Sequence, residues 1–101
     1  MSILHTVNKS PFEKGSAASA LAHAAEGNAV LFYEDGVYAA SKGTAFAQAV
    51  TDATGVSMYV LGPDLKARGI SEERLIDGVK VVDYEGFVDL AAENDKVVAW
   101  V

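Results

Sequence analysis

Residues 29–36 read Ala29-Val30-Leu31-Phe32-Tyr33-Glu34-Asp35-Gly36. Five apolar or aromatic side chains in succession leave no polar face, which is the pattern of a strand covered on both sides. The acidic pair and glycine that follow mark a turn. A strand buried on both faces belongs to a parallel sheet with helices packed against it, so the flanking segments should alternate helix and strand.

They do so in both directions. Toward the N-terminus, residues 3–7 form an apolar, partly β-branched run that predicts a first strand. Ser10, Pro11 and Glu13 fit a capping box with proline at the first helical position, which predicts a helix from Ser10 onward. Ala17, Ala20, Leu21 and Ala24 then recur at helical spacing, and Gly27 is placed to end that helix in a left-handed conformation. Toward the C-terminus, a helix is expected over 43–53, stopped by Gly55, and a strand over 57–61. The turn Gly62-Pro63-Asp64 leads into a short helix closed by Gly69, with a further helical turn capped by Ser71. A fourth strand is expected over 79–82, a helix capped by Asp83 and running to about residue 94, and a last strand over 97–101. The expected fold is one α/β domain spanning residues 1–101: a mostly parallel sheet of about five strands, with helices on both faces in flavodoxin-like layering.

Composition restricts what such a domain does. The formal charge is −6, and the eight basic residues form no run, which argues against direct contact with a nucleic-acid backbone. Apolar stretches fall far short of the ~20 residues of a membrane span. No basic segment precedes an apolar core at the N-terminus, so a cytoplasmic location without membrane attachment is expected. Half of the residues are hydrophobic, rich for a chain with so small a core of its own, which points to surface buried against partners. There is no cysteine. Disulfides, thiolate metal sites, thiol nucleophiles and persulfide chemistry are therefore closed to this chain.

Candidate site residues follow from topology. Ligands of open parallel sheets gather beyond the carboxyl ends of the strands. Three loops leave those ends, Asn8-Lys9-Ser10, Glu34-Asp35-Gly36 and Gly62-Pro63-Asp64, and their convergence gathers Asn8, Lys9, Glu34 and Asp35 into a polar cluster suited to a ligand or a partner's loop. The plainer alternative is that Ser10 caps, Asp35 and Gly36 turn, and the charges are solvated. An acidic pair after a strand also suggests a phosphoacceptor receiver, but Asn8-Lys9 and Gly62-Pro63 stand where its other acidic residues would be. His5 and His23 have no spacing that suggests a triad or a metal site, and no metal or cofactor is expected. Tyr84, Phe87 and Trp100 are candidates for core filling or for an interface.

Read in order, Ile3-Leu4-His5-Thr6-Val7-Asn8-Lys9-Ser10-Pro11, Glu34-Asp35-Gly36-Val37-Tyr38-Ala39-Ala40, Asp64-Leu65-Lys66-Ala67-Arg68-Gly69 and the stretch from Val81 through Leu90, ending at Trp100, resemble successive signatures of the DsrH/TusB family over nearly the whole chain. The resemblance implies a subunit of a sulfur-relay heterohexamer, two copies each of three related α/β proteins, with DsrE- or TusD-like and DsrF- or TusC-like subunits as partners. The assembly carries sulfur as a cysteine persulfide on the DsrE or TusD subunit and hands it to a downstream acceptor. In the Dsr version this serves cytoplasmic sulfur oxidation; in the Tus version it serves 2-thiolation of the tRNA wobble uridine. The resemblance also implies that Ala20 occupies the position of a cysteine typical of the DsrH branch, so that no catalytic residue is expected here. The expected role is thus a non-catalytic subunit of a sulfurtransferase complex, DsrEFH-like first and TusB-like as the alternative. A stand-alone flavodoxin-like domain binding a small ligand at the polar cluster is the rival from another class.

Overall fold

The computed structural model describes residues 2–101. Its strands are β1 (Ile3–Val7), β2 (Ala29–Phe32), β3 (Ser57–Leu61), β4 (Lys80–Val82) and β5 (Lys96–Trp100). They form one sheet in the order β4-β3-β2-β1-β5, and all four ladders are parallel. The α-helices are α1 (Ser16–His23), α2 (Ala47–Asp52), α3 (Gly62–Ala67) and α4 (Tyr84–Glu93). Three successive connections step outward from β1 to β4, and the fourth, carrying α4, returns across the sheet to lay β5 against the other side of β1. The expected α/β class and parallel layering are both present.

Alternation along the strands divides the core. On one face Val7, Val30, Phe32, Met58 and Val60 pack against Ala17 and Ala20 of α1, Val50 of α2 and Leu65 of α3. On the other, Leu4, Ala29 and Leu31 meet Leu90 of α4. Phe32, Leu4 and Leu31 are fully buried, and each contributes about 2 kcal/mol of hydrophobic transfer energy. The two faces are covered unequally. One carries three helices and a 3-10 segment; the other carries α4 alone.

Several boundaries differ from expectation. The capping box at Ser10 does not start a helix. Its Oγ accepts the N–H of Phe12, its carbonyl accepts those of Glu13 and Lys14, and these bonds close an isolated turn. That local arrangement competes with helix initiation, and α1 begins after Gly15 without a side-chain cap. The helix also ends earlier, at His23, where Ala24 turns extended. Gly27 does adopt a left-handed φ of 89°, but it serves the loop beyond, donating its N–H to the Gly55 carbonyl.

The helix expected over 43–53 is reduced to α2. Ahead of it lies an element the pattern did not announce, a seven-residue 3-10 helix, Glu34–Ala40, that begins within the acidic turn. It buries Gly36, Val37, Ala39 and Ala40 against the sheet. Gly36 permits this approach, since a Cβ there would stand 2.1 Å from the Val7 carbonyl oxygen. Other caps form as read: Ser71 Oγ accepts from the Glu73 N–H, and Asp83 Oδ1 accepts from that of Gly86.

Candidate functional site

Because β1, β2 and β3 are adjacent and parallel, the loops leaving their carboxyl ends meet. Asn8, directly after β1, donates from Nδ2 to Glu34 Oε1 at 3.3 Å. The Glu34 N–H donates to Asp64 Oδ2 at 2.6 Å, joining the loop after β2 to the first turn of α3. Arg68, at the end of α3, reaches back to Asp35 Oδ1 with Nε at 3.0 Å and with the terminal Nη2 at 2.9 Å. Its Nη1 donates to the Asp64 carbonyl at 3.3 Å. Three of the four expected residues therefore share one network: Asn8, Glu34 and Asp35. Lys9 is exposed and makes no ion pair among the described residues.

Asp64 and Arg68 are further members: sequence reasoning placed the Gly62-Pro63-Asp64 loop at the strand ends without naming Asp64 as a site residue, and it did not bring Arg68 there. Both were legible only as part of a turn and a short helix, and their role depends on contacts across about 30 residues of chain. The network holds one residue in an unusual state, for Glu34 has a φ of 48°, the left-handed region that side chains other than glycine rarely enter. The bond from its N–H to Asp64 fixes that conformation. Asn8 contributes a second imbalance, since its buried Oδ1 has no hydrogen-bond partner among the described residues.

The aromatic candidates divide. Trp100 is half-buried against the multi-helix face, whereas Phe87 lies on the α4 face, edge-on to Tyr33 with ring centroids 5.7 Å apart. Tyr84 is 62% exposed. The three do not form one patch. Trp100 instead belongs to a histidine pair: its Nε1–H donates to His5 Nδ1 at 3.0 Å, and its ring lies 5.1 Å from that of His23. Ala20 is fully buried on the core-facing stripe of α1.

The sequence has no cysteine, so this arrangement contains no thiol. Among the described residues no cluster of histidine and carboxylate side chains is arranged to hold a metal ion, and no helix is long and apolar enough to cross a membrane. The fold and the strand-end network define a small doubly wound α/β protein whose strand-end loops are joined by polar side chains. Comparison with known proteins narrows the class. A family model described as DsrH like protein matches residues 9–97. Proteins named TusB from Pectobacterium parmentieri and Erwinia tasmaniensis are 36% and 38% identical to this chain, each over 97% of it and 100% of their own length. The chain belongs to the DsrH/TusB family. Its fold is similar to that of the ychN protein from E. coli, with a TM-score of 0.86 at 21% identity over 99% of both chains. A protein of unknown function from Methanobacterium thermoautotrophicum also shares the fold, with a TM-score of 0.80 at 16% identity over 97% of both chains.

Proposed function

We propose that this chain is a non-catalytic subunit of a sulfur-relay assembly of the TusB kind, acting beside TusD-like and TusC-like subunits in the cytoplasm during 2-thiolation of the tRNA wobble uridine. The observation that carries the reading is similarity to TusB proteins along the whole chain, combined with a sequence that has no cysteine. A family member without a thiol cannot hold persulfide sulfur, so its contribution is to shape and dock the subunits that do.

Exposed apolar surface supports a partner-bound state. Tyr84 and Val88 stand one turn apart on α4, 62% and 66% exposed, and Val97 lies on the open edge strand β5. Side chains four residues apart on a helix form a continuous stripe. The stripe lies on the thinly covered side of the sheet, where a second subunit completes the layer. The strand-end network is the other recognition surface, with Glu34, Asp35 and Asp64 giving it acidic character.

A second reading, a DsrEFH-type subunit in sulfur oxidation, rests on the resemblance to DsrH alone, whereas the relatives named TusB support the first. One experiment separates them. Deleting the gene in its own host and measuring 2-thiouridine in tRNA by mass spectrometry should give a strong loss under the TusB reading. Unchanged thiouridine with impaired oxidation of stored sulfur would replace it with the DsrEFH reading.

A further inference from the structure

The chain contains two arginines, Arg68 and Arg74, and both line the same cavity of about 320 Å³. Phe12, Tyr38, Ser41 and Ile70 contribute to its walls, and no carboxylate does, in a chain with fourteen acidic residues and eight basic ones. The cavity lies outside the polar network and touches it through Arg68 alone. Asp35 and the Asp64 carbonyl fix the Arg68 guanidinium through three of its five donors, leaving one N–H on each terminal nitrogen. Arg74 forms no ion pair among the described residues. Its backbone is nonetheless held, because the Lys42 N–H donates to the Arg74 carbonyl at 2.8 Å and Ser41 bridges to Leu75.

We propose that this cavity binds a small phosphate monoester. Two guanidinium groups supply planar donor forks matched to a tetrahedral oxyanion, and Tyr38 and Ser41 stand in the same wall. Phe12 and Tyr38, 56% and 37% exposed, form an aromatic rim suited to the organic group of the ester. The volume is at the small end of ligand sites, enough for a phosphate and one ring. Asp35 neutralises much of the Arg68 charge, so Arg74 provides the net attraction, and inorganic phosphate alone should bind at about millimolar strength.

Two arginines make the test direct, since a spectrum of arginine Nε–Hε groups contains one signal for each. The full chain, alone or co-purified with its partners, is titrated with inorganic phosphate and with phenyl phosphate, and sodium chloride at matched ionic strength serves as reference. Both signals should shift and saturate with either phosphate, and phenyl phosphate should bind about fivefold more tightly through burial of its ring. Arg74→Gln should weaken binding at least tenfold while leaving the melting temperature unchanged. Phe12→Ala should erase the advantage of phenyl phosphate and leave inorganic phosphate binding intact. Shifts that run linearly and match those of chloride, or equal affinity in Arg74→Gln, would overturn the proposal. So would signals that respond only when partner subunits are added and never to phosphate, which assigns the two arginines to a protein contact.

Discussion

The indole N–H of Trp100, on the edge strand, donates to Nδ1 of His5, buried in the neighbouring strand, at 3.0 Å. An indole nitrogen only donates, so His5 Nδ1 is the acceptor and Nε2 carries the proton. That proton faces Asn28 Oδ1 at 3.1 Å, and the same oxygen accepts the Ala25 N–H at 3.1 Å. The chain of bonds runs in one sense from Trp100 through His5 to Asn28 and ties β5 to the loop between α1 and β2.

Replacing Trp100 by phenylalanine keeps most of the ring packing and leaves His5 Nδ1 without its donor. Urea denaturation should show a loss of about 1–2 kcal/mol, the cost of an unsatisfied buried acceptor. An unchanged midpoint would mean that water enters and replaces the indole.

Gly36→Ala should be far more damaging, because its Cβ would lie 2.1 Å from the Val7 backbone oxygen and neither backbone is free to retreat. A loss of at least about 3 kcal/mol is expected, in the range of severe overpacking. A variant with wild-type stability would show that the 3-10 segment can lift from β1 at little cost.

Glu34→Gly should act in the opposite direction. Glycine enters the left-handed region freely, so the change should stabilise the isolated chain by up to about 1 kcal/mol, its greater unfolded-state entropy offsetting part of the gain. If the strand-end network serves docking, the same variant should bind its partners more weakly. Greater stability with undiminished assembly would separate the strained residue from function.

Ala20→Cys tests the position that the family resemblance pairs with the DsrH-branch cysteine. Ala20 is fully buried, so a thiol there should react with an alkylating reagent only as fast as the helix opens. Rapid labelling of the folded protein would contradict the described packing of α1.

What could be read in advance, and what could not, follows from the range of the interactions. Residues 29–32 form a strand buried throughout and residues 58–61 one that is largely buried, and their apolar runs carry their own signal, while Asp83 and Ser71 cap through bonds two or three residues away. Ser10 shows the limit of such signals: the same hydroxyl suits a cap or an isolated turn, and Gly15 lets the turn end before α1 begins. The 3-10 helix from Glu34 to Ala40 owes its form to close approach over Val7, a contact no local pattern encodes. Asn8, Glu34 and Asp35 could be brought together from strand order alone. The place of Asp64 in the third loop follows from the same order, whereas its bond to Glu34 and the return of Arg68 to Asp35 depend on side-chain reach across α3.

Under the proposed function this chain serves a sulfur relay by assembling with thiol-bearing subunits while never carrying sulfur itself. Native mass spectrometry of the chain co-expressed with its TusD-like and TusC-like partners, after exposure to a persulfide donor, tests both halves together. The predicted result is a stable complex, two copies of each subunit, in which added sulfur mass is found on a partner and none on this chain. A well-dispersed monomer that ignores both partners, or a stable sulfur adduct on this chain, would contradict it.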